Sequence, residues 1–266
     1  MSDLRQERDR RWWRTRRRPV ASLEQAAAFI DDVGFALLFP SRGIDLPSLF
    51  EAATDRPLEH PGLEWGPEAG RVWRWKDELP ARGRAWYGRF LRGRPSVLSP
   101  TLLADLYPWA GRPEDFAEAG LSPEARRIGE IILIDGPTST AALREALGLE
   151  GKRGQARFSR ALTELGRGLV VTHFGTESLG TGWPAAVLEL TARAFAVRRR
   201  KSDKPEVRRR RAAGRFLETM VEARPGDLAI AFGWEPRIAR QALEELASAG
   251  RAEARGQGYY RRGSIV

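Results

Sequence analysis

The sequence predicts a mainly α fold with small β wings, an α+β protein of tandem winged-helix (helix-turn-helix) units. Three observations predict it. Residues 121–183 read as helix, helix, helix, strand and turn, with Pro and Ser/Thr signals at helix starts and Gly at their ends. The third of these helices carries an apolar stripe on one side and arginines on the other. Finally, Arg160-Ala161-Leu162-x-x-Leu165 answers to Gln241-Ala242-Leu243-x-x-Leu246, and repetition of one unit argues for an array.

Taken in order, residues 1–19 read as a basic, disordered arm. It holds eight Arg, ending in Arg16, Arg17 and Arg18, against Asp3, Glu7 and Asp9. Trp12-Trp13 inside it either grips phosphate and base together with Arg or docks the arm on a domain. Docking is the simpler reading, since exposed Trp is costly.

Residues 20–118 read as an N-terminal helical or winged-helix-like domain. Ser22-x-x-Gln25 is a capping box for a helix on Leu23, Ala26, Ala27 and Ile30, which Gly34 ends. An apolar run follows at 35–39, then a loop at 40–43. Asp45 and Pro47 open a short helix closing near Ala53, and 54–70 is irregular. Helices are expected at 68–78 and 81–91, bounded by Pro80 and the Gly93-Arg94-Pro95 turn, and Ser99-Pro100 caps a last one through Tyr107. Trp65, Trp73, Trp75, Trp86 and Trp109 are dense enough to build a core, with a base-capture pocket as the functional alternative. Arg82, Arg84, Arg89, Arg92 and Arg94 make 81–95 basic enough to line a DNA channel.

Residues 119–200 read as a winged helix. Ser122-Pro123 opens its first helix, on Ala125, Ile128, Ile131 and Ile132, and Asp135-Gly136-Pro137 stops it. Thr138 caps a short helix at 139–147, and a third helix covers 152–165. Phe158, Ala161, Leu162 and Leu165 form its core stripe. Arg153, Arg157 and Arg160 lie opposite, where a recognition helix meets the major groove. A strand at 169–174 and a wing turn at 175–178 complete the unit, with His173 on the strand in a structural role. Residues 201–211 read as a basic linker, part of a stretch at 198–211 with nine basic residues against Asp203 and Glu206. Residues 212–266 read as a C-terminal winged helix. Phe216, Leu217, Met220 and Val221 line its first helix, a second covers 227–232, and a third, opened by Pro236, carries Arg237 and Arg240 but also Glu244 and Glu245. Its wing holds Arg255, Arg261 and Arg262 around Gly256-Gln257-Gly258.

The formal net charge of +10 is almost all arginine, with Lys only at 76, 152, 201 and 204, and it is concentrated in the arm and linker. The absence of Cys excludes disulfides, thiolate metal sites and cysteine nucleophiles. Two histidines, His60 and His173, far apart in sequence, argue against a metal centre or a His-based general base. No apolar run reaches a membrane span, and the Arg-rich start lacks a secretory hydrophobic segment. The expectation is a bacterial cytoplasmic, nucleoid-associated monomer with double-stranded DNA as its partner, no cofactor, no metal and no membrane.

Asp32-Val33-Gly34-Phe35 with its apolar run, Val72-Trp73-Arg74-Trp75-Lys76-Asp77-Glu78-Leu79-Pro80, and the tandem units after Leu121 resemble the AlkZ (YcaQ-like) family of winged-helix DNA glycosylases, in particular its shorter AlkZ-related members. The resemblance covers most of the chain. It implies a string of winged helices around a basic duplex channel, and excision of bulky alkylated or crosslinked bases by a Gln–apolar–Gln or Gln–apolar–Asp motif just after the first helix. Here Leu37 and Phe39 stand at the two polar positions. Neither can orient water or balance positive charge on a sugar. The nearest carboxylates are Asp31, Asp32 and Asp45. The leading expectation is therefore a repair-associated DNA-binding protein rather than an enzyme. The alternatives are an active glycosylase with a displaced carboxylate, a transcriptional regulator and a winged-helix protein scaffold.

Overall fold

The structure, a computed structural model, describes residues 2–54, 66–178, 180, 184–197 and 204–263. The sequence expectations for His60, Trp65, Trp183 and the basic residues at 198–203 lie outside these. One element order occurs three times: helix, strand, helix, helix, strand, strand. After α1 (Ser2–Arg11), the first unit holds α2 (Leu23–Val33), β1 (Phe35–Leu37), α3 (Leu49–Ala52), α4 (Pro67–Ala81), β2 (Trp86–Arg89) and β3 (Pro95–Leu98). A connecting helix, α5 (Pro100–Leu106), leads to the second unit: α6 (Pro123–Asp135), β4 (Thr138–Ser139), α7 (Thr140–Ala146), α8 (Gly151–Arg167), β5 (Val171–Glu177), β6 (Ala185–Leu190) and a short α9 (Thr191–Ala194). The third unit holds α10 (Pro205–Met220), β7 (Glu222–Ala223), α11 (Pro225–Phe232), α12 (Pro236–Ser248), β8 (Ala252–Arg255) and β9 (Tyr259–Arg262). Each unit has a three-stranded antiparallel sheet with its last strand in the middle.

The expected helix at 81–91 is instead strand β2. α4 ends at Ala81, Gly83 turns the chain at φ +64°, and Trp86 and Tyr87 point to opposite faces of the sheet. Both faces are covered. Phe35, Leu37, Trp86 and Leu98 enter one core, whereas Ala36, Leu38, Tyr87 and Val97 enter another. Burial on both sides explains why 35–39 is a continuous apolar run rather than an alternating one. The core on α2 and α4 belongs to the first unit alone. The other joins the first unit to α5 and to Phe216, Leu217, Leu228 and Leu243 of the third. Phe35 stacks on Phe216 at 5.5 Å and meets Phe232 edge-on at 5.7 Å. The second unit has its own core around Ile128, Phe158 and Leu165.

Among the described residues, 2–19 do not form a disordered arm. α1 lies on α10, and Trp12, 1% exposed, donates its indole N–H to the Thr219 carbonyl at 2.8 Å. Arg8 donates to the carbonyls of Met220 and Glu222, both at 2.9 Å. The Trp pair signalled docking, but its partners, more than 200 residues away, were not legible in the sequence. The expected linker is likewise structured from Lys204 onward: Pro205 opens α10, and Arg208 is buried with its guanidinium on the carbonyls of Ala104 and Tyr107 at 3.2 and 2.8 Å. Arg211 pairs with Asp105 at 2.5 Å. Basic charge that reads as a linker for polyanion contacts thus caps the carbonyl end of α5, where a helix attracts cations. Smaller shifts concern caps and ends. Ser139, not Thr138, caps α7, and Gln25 accepts from the backbone N–H of Ala21 at 2.8 Å while Ser22 caps α2. β5 runs on through Gly175 to Glu177.

Candidate nucleic-acid interface and inter-unit cleft

α8 separates two chemistries by helical period. Phe158, Ala161 and Leu165 are buried, whereas Arg153, Arg157 and Arg160 are exposed on the other side. Arg167, seven residues after Arg160, falls on the same face and extends the stripe beyond the expected helix end. Arg153 and Arg160 have no ion-pair partner within 4 Å among the described residues. Arg157 is held by Glu124, Nε to Oε1 at 2.9 Å, and this hydrogen bond lowers the Glu124 carboxyl below its ordinary value.

The β2–β3 hairpin of the first unit packs across the end of α8. A Cβ on Gly166 would lie 2.9 Å from the backbone nitrogen of Arg89, so only glycine permits this approach. A Cβ on Gly93, at the hairpin tip, would lie 2.9 Å from the Arg167 guanidinium. Arg89, Arg92 and Arg94 are exposed on that hairpin. Two units therefore contribute arginines to one ridge: Arg153, Arg157, Arg160 and Arg167 from α8, and Arg89, Arg92 and Arg94 from the hairpin.

Of the remaining expected contact residues, Arg237, Arg255 and Arg261 are paired with carboxylates. On α12, Arg237 pairs with Glu235 at 2.6 Å, while Arg240 is exposed. In the last hairpin Arg255 pairs with Glu253 at 2.6 Å and Arg261 with Glu7 at 2.7 Å; Arg262 is exposed. Arg16, Arg17 and Arg18 are exposed after α1, with the Arg16 guanidinium 3.0 Å over the Trp13 ring.

The positions tied to chemistry by resemblance are apolar and packed. Leu37 is fully buried in β1, and Phe39 is half-buried against Phe50 at 5.4 Å. Two of the three nearby carboxylates hold the N-terminal helix. Asp32 binds Arg11 at 2.6 Å and the Trp13 indole at 2.7 Å; burial works against its ionisation, but these donors outweigh it and leave its carboxyl below the usual range. Asp45 pairs with Arg8 at 2.6 Å. Asp31 is exposed, and desolvation raises its carboxyl above the usual value against the charges of Arg84 and Arg215.

A cluster absent from the sequence expectations lies where α4 meets β5. Lys76, 5% exposed, donates to both oxygens of Asp77 at 2.7 and 2.6 Å. The other partner of Asp77 is His173, Nδ1 to Oδ1 at 3.0 Å. Tyr87 meets the His173 ring edge-on at 4.5 Å, and Lys76 lies 4.5 Å from the Trp73 ring centroid. Burial holds His173 below its ordinary value, although the Asp77 hydrogen bond opposes this. Burial opposes ionisation of Asp77 too, but the donors His173 and Lys76 outweigh it and hold its carboxyl low. Burial, then the Asp77 charge, pushes the Tyr87 phenol up. A neutral His173 beside an ionised Asp77 donates from Nδ1, which leaves Nε2 as a hydrogen-bond acceptor. The cluster borders a cleft of about 580 Å³ between the first and second units. Its signal was the Trp73-Arg74-Trp75-Lys76-Asp77 run; the partner His173, 96 residues on, was not legible as one.

Among the described residues no cluster of three His, Asp or Glu could hold a metal ion, and no helix is long and apolar enough to cross a membrane. A family model described as AlkZ related matches residues 20–233. No curated protein is similar enough to count as a relative. Among solved structures the chain is similar to the DNA glycosylase AlkZ of Streptomyces sahachiroi, with a TM-score of 0.55 at 13% identity, covering 97% of this chain and 68% of that one. At that identity the likeness is one of fold.

Proposed function

Because the chain belongs to the AlkZ-related family, we propose that it is a repair-associated protein that binds duplex DNA through three winged helices and lacks the family's usual reaction site. The observation that carries this reading is the arginine ridge. Exposed arginines, of which only Arg157 in the ridge has an ion-pair partner among the described residues, displace counterions from phosphates, and that release drives sequence-tolerant binding. α8 is the third helix of its unit, the one that enters the major groove in a helix-turn-helix. The fold likeness to a DNA glycosylase supports a repair role over that of a transcriptional regulator, as does the absence, among the described residues, of any unit beyond the three that would sense a signal.

Chemistry at the family's position has no polar group to work with. Leu37 is sealed in the sheet and Phe39 packs on Phe50. A side chain without polar atoms neither activates water nor offsets charge on an oxocarbenium-like sugar. The second reading, a glycosylase with a displaced carboxylate, is favoured by one observation: Asp31 is exposed, whereas Asp32 and Asp45 are tied to α1.

Titration of plain and N7-alkylated duplexes at several salt concentrations, with analysis for abasic products, tests both. Affinity falls by roughly three orders of magnitude between 50 and 200 mM salt if about six phosphates are engaged, and no abasic sites form. Salt-insensitive binding refutes the first reading. Turnover that Asp31→Asn abolishes establishes the second.

A further inference from the structure

We propose that the cleft between the first and second units is a binding site for a single nucleotide, with the base held inside and the phosphate at the rim. This rests on the duplex-binding reading above, which supplies the nucleotide. The cleft's size, about 580 Å³, suits one nucleotide. Its walls are largely apolar and include Trp73, Leu162 and Leu188, with a few convergent polar groups among them. Such a lining takes a flat, weakly polar body. Arg74 and Arg89 border the cleft, and neither has an ion-pair partner within 4 Å among the described residues. A flat heteroaromatic body with an anion attached is the chemistry of a nucleotide.

The interior is poised to recognise the base. Lys76 and Asp77 neutralise one another, so the cleft does not present a bare charge to it. His173 lines the cleft with its Nδ1 committed to Asp77, so the ring atom left for a ligand is Nε2, an acceptor for an amino or imino N–H of a base. A largely enclosed Lys–Asp–His network, with Lys76 buried and Asp77 and His173 half-buried, costs stability relative to an apolar filling, so its placement on a cavity wall points to recognition rather than to support. The cleft also adjoins the ridge. Arg89 belongs to both, and Gly166 of α8 lines the cleft. A base swung out of a duplex held on the ridge would meet this adjoining cleft, and a mispaired base leaves the stack at least cost.

The test uses the two-histidine composition of the chain. Imidazole nitrogen NMR of the full chain gives two ring systems, and His173→Phe assigns them. Each deoxynucleoside monophosphate is titrated in turn, with deoxyribose 5-phosphate as the baseless control. We expect a saturable shift of the His173 signals for at least one nucleotide, at least tenfold weaker for the baseless sugar phosphate, and lost in Trp73→Ala. A duplex with one mispaired base should move the same signals, and a fully paired duplex should not. No shift at His173 with any nucleotide or mispaired duplex, while the paired duplex still binds, overturns this inference alone. A nucleotide-dependent shift in a protein that binds no duplex at low salt supports the site and overturns the duplex reading instead. A shift retained at undiminished affinity in Trp73→Ala shows that the ring does not hold the base and overturns the proposed placement of the base inside the cleft.

Discussion

Replacing Arg153, Arg157 and Arg160 of α8 with alanine separates phosphate contact from a solvated basic surface. All three side chains are exposed and their helix is held by Phe158, Ala161 and Leu165, so the variant should melt with the wild type. Each lost phosphate contact lowers the slope of log K against log salt by about 0.9. For three contacts the slope falls by about 2.7, so a fourfold rise in salt weakens the wild type roughly forty-fold more than the variant. The three residues are not equivalent. Arg153 and Arg160 have no ion-pair partner within 4 Å to leave among the described residues, whereas Arg157 must first release Glu124. Arg157→Ala alone should therefore cost the least, and Glu124→Gln should strengthen binding by freeing Arg157. Fluorescence anisotropy on a labelled duplex between 50 and 200 mM salt reads both quantities. A triple variant with the wild-type slope, or a Glu124→Gln variant that binds more weakly, would refute the assignment of α8 to the DNA face.

Trp12→Ala should destabilise the fold by about 3–5 kcal/mol in urea unfolding, as expected for loss of a fully buried Trp; a change under about 1 kcal/mol would show that α1 is only loosely attached. Leu165→Ala should cost about 2–5 kcal/mol, and Leu162→Ala distinctly less, because Leu162 is half-buried at the cleft; equal costs would contradict this division. Stability should also fall in acid. His173 is held below the 6.5 of a free histidine, so the unfolded chain binds the extra proton; its contribution is complete above about pH 6.5 and is lost as the pH drops beneath that. Asp77, held below 3.8, adds a second loss in stronger acid by the same sign. The charged and titratable groups facing His173 are Asp77 and Lys76 of α4 and Tyr87 and Arg89 of β2, and none of their carboxyl or phenol groups titrates near pH 6. Unfolding free energies at pH 7 and pH 5 should therefore converge in His173→Phe; an undiminished difference there would assign the acid sensitivity to other groups.

Local signals carried the parts of the fold that are local. Ser22, Ser99, Ser122 and Gly34 mark helix ends where the structure has them, since capping is settled within four residues. The match of Ala161 and Leu165 to Ala242 and Leu246 marks two third helices whose paired residues are buried alike. The first unit was only half legible. Its sheet is covered on both faces, so β2 lacks the alternation that identifies a strand, and its Arg-rich segment passes for a helix. The exposed arginines were legible from spacing, but which of them share a ridge depends on the approach of Gly166 to Arg89, 77 positions apart in sequence. The Lys76–Asp77–His173 cluster was not legible, because a lone histidine acquires a partner only when β5 is laid across α4.

The anchoring of α1 has a consequence for biosynthesis. Trp12 leaves the ribosome early, but the backbone it docks on, at Thr219, is made 207 residues later. At about 5–20 residues per second, the indole waits roughly 10–40 s for its partner. During that interval the face of the first sheet that receives Phe216 is uncovered as well. Completion of the first unit is thus deferred until α10 emerges, while the second unit, with its own core, is free to fold beforehand. Nascent chains halted before α10 should bury the Phe158 core yet leave Trp12 open to quenchers and to chaperones.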